Sequence, residues 1–376
     1  MRKLYYKKKL INMNNQTLNE ILAYKNISKI KNYKLNTINT KEKFNKLIKI
    51  SRKNNGELFD YLKIFMVLSI KWHFDYLAKS YDNPKKISYV LDYWINTFLI
   101  FSKLSDHNWI INHKKKELTK KDVWKVTKNS FNFMWPKNTK KKKYNISSYL
   151  IKLRIKQIIK YLPKNFIKNK IVLDSGCGPG RYINEILRYK PKLAIGIDSG
   201  KNIILENKKK FRKFKNVRFD QALIDKLKYK ENYFDFLISA GVLHHTKTSM
   251  NYLIKDHAKV IKKGGYFFVF IAGKGGIELD VWNFSRRVMI NVDINKAYSF
   301  LKNKISHMRL QGFLDHSYGE YKSTPKDKFE NILNKNFSKV IEIPGVYGAD
   351  VTKNTFKKDK FFKVRFGSGN LRYLAK

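Results

Sequence analysis

Residues Ile171 to Tyr182 read IVLDSGCGPGRY: an apolar run ending in an acid, glycines at the alternate positions 176, 178 and 180, then a polar opening to a helical pattern. This is a strand, a tight turn and a helix start. Glycine accepts positive φ and leaves room for close backbone approach, so the turn suits a nucleotide-like ligand lying against main chain at a helix N-terminus. Packing alone also puts glycines into such turns, and the pattern by itself does not decide between the two.

The neighbouring run decides more. LAIGID at 193 to 198 ends in Asp198, about 20 residues beyond the glycines, where a ribose-binding carboxylate belongs in a nucleotide-binding βαβ unit. The spacing is GxGxG, unlike the GxGxxG of dinucleotide dehydrogenases, and no phosphate-cradling GK[ST] follows. Further out, apolar runs at 217–220, 234–240 and 265–272 alternate with helical patterns from about 202 and over 249–262, and a helix over 146–162 ends at Pro163. Such alternation predicts an α/β fold, a Rossmann-like doubly wound, mostly parallel sheet with helices on both faces. Ligands bind at the carboxyl ends of such strands, so Asp174, Asp198 and the loop after Ser239 are expected to converge.

With these motifs in order, the stretch from about Ile146 to Lys376 resembles the class I S-adenosylmethionine-dependent methyltransferases. FDFLISAGVLHHT at 234–246 is similar to the post-strand motif of the small-molecule branch, which includes quinone-biosynthesis and natural-product enzymes; KKGGYFFVF at 262–270 looks like the family's turn and fifth strand. The resemblance implies antiparallel C-terminal strands at 339–343 and 371–375. It also implies an enzyme that moves a methyl group from S-adenosylmethionine to an oxygen or carbon of a small-molecule acceptor. Asp174, Gly176, Cys177, Gly178 and Gly180 would line the methionine part of the cofactor. Asp198, beside Ser199, would accept the ribose hydroxyls, with Ala222 and Leu223 at the adenine edge and Ser239 at the end of the fourth strand. One motif departs from the pattern. Leu223 stands where the family usually has an adenine-binding acid, with Asp220 and Asp225 on either side, which keeps a non-catalytic binding module of the same fold as an alternative.

His244 and His245 are the candidates for chemistry, because histidine is the side chain best poised to remove a proton near neutral pH. A packing role for one or both is an equal alternative. Before the cofactor domain, DVWKVTKNSFNFMWP at 122–136 resembles the family's aromatic lid, carried by Phe131, Phe133 and Trp135; a lid would exclude water from methyl transfer. Tyr182 is a further pocket candidate. Asp315, His316, Tyr318 and Tyr321 stand where the resemblance implies substrate-recognition elements, although they read rather more as a structured surface loop. Ser239-Ala240-Gly241-Val242 replaces the N/D-P-P-Y/F of enzymes that methylate nucleobase amines, which argues against that subclass but not against other RNA methylation.

The 376 residues predict three regions: a basic helical N-terminal region at 1–110, a basic linker with the aromatic segment at 111–145, and the catalytic domain at 146–376. Residues 1 to about 55 show poor helical periodicity. A dense apolar helix begins at Glu57 and stops at Tyr81 to Pro84; a second from Lys85 to Leu104 presents Val90, Leu91, Trp94, Phe98 and Phe101 to it. The net charge is +51. Because the lysines are spread along the whole chain, compositional bias outweighs nucleic-acid binding, while RNA remains an alternative partner through the basic surface. One cysteine, Cys177, excludes an intrachain disulfide and a cysteine-built zinc site; no metal is expected. A cytoplasmic location follows from cysteine usage and from the lack of a signal-like or bilayer-length apolar run. Peripheral membrane contact and oligomeric state stay open.

Overall fold

Seven strands form one sheet in the order β3-β2-β1-β4-β5-β7-β6. The strands are β1 (Ile171–Ser175), β2 (Leu193–Asp198), β3 (Val217–Gln221), β4 (Phe234–Ala240), β5 (Ile261–Ala272), β6 (Val340–Glu342) and β7 (Asn370–Ala375). The first five are parallel, and β7 runs antiparallel to both β5 and β6. The expected Rossmann-like sheet with antiparallel C-terminal strands is present. This computed structural model describes residues 39–104, 127, 130, 131, 133, 145–320, 322–345 and 359–376.

Two compact units divide the chain: Met1–Glu117 with Arg287–Val292, and Leu118–Arg286 with Asp293–Lys376. In the first unit, α1 (Thr40–Lys53), α2 (Glu57–Lys79) and α3 (Ile87–Leu104) are the described helices. Helix α1 corrects the expectation of weak helicity before residue 55. Asn39 caps it by accepting from the Lys41 N–H at 3.2 Å, and Phe44, Leu47, Ile48 and Ser51 fall on one buried stripe. Lys43 on that stripe reaches Ser88 at 3.0 Å and pairs with Asp92, so its charge is satisfied inside the bundle. The buried face of α3 carries Leu91, Trp94 and Phe98 as expected, whereas Val90 and Phe101 are half-buried and Ile87 and Ile95 complete the face.

In the second unit, α4 (Asn145–Ile159), α5 (Arg181–Ile186), α6 (Lys201–Lys210) and α7 (Met250–Lys259) accompany the parallel strands. The central strands are apolar on both faces, as a sheet covered on both sides requires: Val172, Leu173, Phe236, Leu237 and Ile238 are all fully buried. A buried hydrogen bond ties α7 to the sheet. His257 donates from Nδ1 to the Leu253 carbonyl (2.7 Å), so Nε2 accepts from the Ser175 hydroxyl at 3.0 Å. Burial pushes His257 down to about 4, keeping it neutral in this role.

Between β5 and β6 the chain inserts α8 (Gly276–Met289), α9 (Ile294–Leu301), α10 (His307–Tyr318) and α11 (Lys326–Asn334). Asp315, His316 and Tyr318 therefore lie on a helix, not a loop. Ser306 caps α10 through the Arg309 N–H, and Phe313, Leu314, Ser317 and Tyr318 are buried. Tyr321 lies outside the described residues. The short α12 (Phe362–Phe366) precedes β7. Among the described residues no helix is long and apolar enough to cross a membrane.

Candidate functional site

The turn after β1 is built by main chain. Gly176 and Cys177 N–H both donate to the Ile197 carbonyl at 2.8 Å, which folds the loop against the end of β2. Gly176, Gly178 and Gly180 have φ of +83, +48 and +70, a region costly for other residues. At two of these positions the space is claimed by the protein itself. A Cβ on Gly176 would stand 2.3 Å from Val242, and one on Gly180 would stand 2.9 Å from Phe211. The packing reason for these glycines therefore operates alongside any ligand.

Two carboxylates meet this loop. Asp198 accepts from the Gly178 N–H at 3.0 Å through one oxygen and from the Gly200 N–H at 2.9 Å through the other. Burial raises its pKa and these N–H groups oppose the rise. Asp174 is almost wholly buried, and its Oδ2 has no hydrogen-bond partner. Burial first, then the charge of Asp198, push it up to about 8, against the pull of Arg181. An orphaned carboxyl oxygen beside an oriented carboxylate suits a ligand that brings an ammonium group and hydroxyls, so the residues present fit S-adenosylmethionine. The Cys177 thiol is buried and pushed well up, which removes it as a nucleophile.

The other expected cofactor residues divide. Ser199 is half-buried, and its carbonyl accepts from Gln221 at 3.1 Å. Ala222 donates its N–H to the Asp198 carbonyl at 3.0 Å, and Leu223 is 57% exposed, so neither brings a polar side chain to the edge. The flanking acids are engaged elsewhere: Asp220 pairs with Arg218 at 2.7 Å and Asp225 accepts from Thr248 at 3.1 Å. Ser239 is fully buried and donates to the Ser175 carbonyl at 3.2 Å, a bond that joins β1 to β4. Tyr182 sits in the core with Ile186, Phe236 and Ile238, its hydroxyl buried without a partner.

Beyond β4, Leu243–His245 forms a single 3-10 turn that brings the two histidines together, ring centroids 4.3 Å apart. Their main-chain partners assign them different tautomers. The Ala272 N–H donates to His244 Nδ1 at 3.3 Å, so His244 carries its proton on Nε2. His245 Nδ1 lies 2.7 Å from the Glu320 carbonyl; a carbonyl only accepts, so Nδ1 holds the proton and Nε2 is left in the base form. Burial lowers both pKa values, most strongly at His244, where His245 and Arg286 add to the effect; Asp315 and the Glu320 carbonyl partly restore His245.

The insertion helices and the aromatic segment surround this pair. Phe131 packs edge-on against His245, 4.9 Å between centroids. Thr127 accepts the Glu320 N–H at 3.0 Å, and Ser130 donates to the Tyr318 carbonyl at 3.4 Å. Phe133 meets Tyr298 instead, 5.5 Å between centroids, and Trp135 lies outside the described residues. Trp282 of α8 stacks on His316 of α10 at 4.2 Å, and Arg286 stands 3.7 Å from the Glu320 carboxylate. Sequence reasoning missed Arg286, Trp282 and Glu320, whose roles depend on partners far along the chain. Among the described residues no group of His, Cys, Asp or Glu could hold a metal ion.

Residues 173–269 match the model of a family described as a methyltransferase domain. A tRNA U34 carboxymethyltransferase from Helicobacter pylori strain P12 is 31% identical over 143 residues, 36% of this chain and 50% of that protein. A protein of the same name from Campylobacter fetus is 30% identical over 105 residues, 27% of this chain and 36% of that one. The chain thus spans half or less of the length of these curated relatives. Among solved structures, an S-adenosylmethionine dependent methyltransferase from Mesorhizobium loti shares 14% identity, with a TM-score of 0.38 over 58% of this chain and 94% of that one. The matched segment, on a Rossmann-like sheet, is similar to a methyltransferase domain, in agreement with the enzyme class and S-adenosylmethionine cofactor expected from the sequence.

Proposed function

We propose that this chain transfers a methyl group from S-adenosylmethionine to a hydroxyl oxygen of an RNA nucleotide, with His245 as the base. The observation that carries the chemistry is the His245–Glu320 hydrogen bond, which fixes the tautomer and leaves Nε2 able to accept a proton. Two things support RNA as the acceptor class: the relatives carry a tRNA-modifying name, and the net charge of +51 suits a polyanion. When bound, the cofactor supplies a methyl group on a sulfonium, already an electrophile. The residues supply position. Asp198, oriented by the Gly178 and Gly200 N–H groups, would hold the ribose hydroxyls, and Asp174 Oδ2, without a partner, would accept from the ammonium group. Transfer of the methyl group to a hydroxyl oxygen would break its bond to sulfur, leaving the sulfur as a neutral thioether, and would release the hydroxyl proton, which His245 Nε2 would take. His244, whose Nδ1 is occupied by Ala272, holds the loop in place, and Phe131 keeps water from the reacting atoms.

A nucleotide reaching His245 behind Phe131 and α10 would enter singly, out of its stack. That enclosure also favours a second reading, the small-molecule acceptor expected from the motifs. We further take 146–376 as the catalytic domain, 1–110 and 111–145 as separate basic regions, and the cytoplasm as the location.

The test is incubation with methyl-labelled S-adenosylmethionine and, in parallel, a tRNA-rich RNA pool and a metabolite extract. Nuclease-sensitive label in precipitated RNA is the expected result. Label confined to the metabolite fraction would replace RNA with a small acceptor, and cofactor binding with no label in either would make the chain a binding module.

A further inference from the structure

Helix α6 ends in a turn dense in cations and aromatic rings. Residues 208–215 read KKKFRKFK, six cations interleaved with two aromatic rings. The rings part company. Phe211 is buried beside Gly180 and packs on Phe219 at 5.0 Å, whereas Phe214 is 45% exposed. The Phe214 N–H donates to the Phe211 carbonyl at 2.9 Å, a tight turn that holds the second ring outward above the first, centroids 6.0 Å apart.

The cations divide similarly. Lys210 folds back, donating to the Pro179 carbonyl at 3.2 Å and lying over the Phe211 ring. Lys208, Lys209, Arg212, Lys213 and Lys215 are exposed. Nearby acids do little to cancel them, since Asp220 is paired with Arg218 and Glu206 is half-buried on α6. A helix C-terminus accounts for cations in its last turn. It does not account for Arg212, Lys213 and Lys215 beyond the helix, nor for a phenylalanine in solvent among them.

We propose that the Lys208–Lys215 turn is a docking surface for single-stranded RNA, with Phe214 as the stacking platform and the five cations other than Lys210 as phosphate contacts. The inference rests on the RNA reading of the active site. Exposed aromatics flanked by cations are how single strands are held without sequence preference, stacking on the ring and tracking of the backbone by charge. The position is suitable. Helix α6 begins three residues after Asp198 and has ten residues, about 15 Å of helix, and its far end returns to the glycine loop, where Lys210 meets the Pro179 carbonyl and Phe211 packs beside Gly180. A strand bound at the turn and reaching the site falls within the site sizes of roughly 4–16 nucleotides that single-strand binders cover.

The experiment is fluorescence anisotropy with a labelled single-stranded 12-mer RNA across a salt series, beside the methyl-transfer assay on RNA. Four proteins are compared: the full chain, Phe214→Ala, the set Lys208→Gln, Lys209→Gln, Lys213→Gln and Lys215→Gln, and a control set. The control, Lys152→Gln, Lys156→Gln, Lys160→Gln and Lys164→Gln, removes the same charge from exposed positions on and after α4. Phe214→Ala is expected to weaken binding about 5-fold or more. The turn set is expected to weaken it at least 10-fold and flatten the salt slope by about 3, the value for four lost contacts to a single strand, with the control near the full chain. Equal losses in both lysine sets would reduce the effect to general charge and overturn the proposal. Turn-dependent binding of anionic vesicles with unchanged RNA affinity would overturn it too, in favour of a membrane surface. RNA methylation that continues at the same KM in the turn variants, with affinity unchanged, overturns this surface and leaves the RNA reading intact. Turn-dependent RNA binding with no label transferred upholds the surface and overturns that reading.

Discussion

The donor and acceptor sides of the proposed site are held in different ways. On the donor side, Asp198 is fixed by N–H groups 20 and 2 residues away, all within consecutive strand and turn units. On the acceptor side, His245 is fixed by a carbonyl 75 residues away and by a ring, Phe131, that lies before the sheet begins. The donor side is a property of local main chain; the acceptor side is a property of tertiary packing. A substitution on the first should act through affinity for the cofactor, and one on the second through turnover.

The sharpest way to break this contrast is His245→Ala. With the proposed base removed, kcat should fall by about 10²–10⁴-fold while cofactor affinity holds, as steady-state kinetics beside calorimetry would measure; full retained activity would return the pair to packing. The same assay carries a pH signature. Because burial lowers the His245 pKa, the base form persists through neutral pH, and the acid limb of kcat/KM should fall below the usual histidine value of about 6.5.

Next in size is an effect on stability confined to the donor side. Asp174 goes from an ordinary 3.8 to about 8 in the folded chain, with Asp198 and Arg181 the charges facing it. The folded state therefore holds an extra proton between those values, and its stability falls as pH rises through that window. Asp174→Asn removes the dependence. The apo variant should gain on the parent between pH 6 and 9, by on the order of a few kcal/mol at the alkaline end, read as Tm; parallel pH curves would remove the buried-acid account. The smallest effect sharpens the comparison most. Asp198→Ala should weaken S-adenosylmethionine binding by about 1–3 kcal/mol, the scale of hydrogen bonds to a charged group, and unchanged affinity by calorimetry would void the ribose assignment.

Legibility in the sequence follows the same division. The strands from Ile171 to Ala272 and the acids at their ends could be read because apolar runs and glycines are local signals. Helix α1 was hidden because lysine and asparagine dilute its apolar stripe, although Asn39 followed by Glu42 is a capping signature that could have revealed it. Ser306 caps α10 with no acid three residues on to announce it, and the polar and glycine-containing run around Asp315 to Gly319 resembles a loop. Nothing local points to Glu320 or Arg286, whose meaning comes only when the insertion reaches His245. For Leu223 the sequence posed a question that the fold narrows, since both neighbouring acids have other partners.

The 2.3 Å approach of Val242 to the missing side chain of Gly176 has a consequence for how this protein can change over generations. A larger residue at 176 is tolerable only after 242 has shrunk, and a smaller residue at 242 first opens a void beside the loop. Either first step carries a loss, and even the pair leaves a positive φ that disfavours anything but glycine. The glycine loop and the loop that carries the histidines are therefore coupled: a change at 176 or at 242 is expected to be tolerated only together with a change at the other.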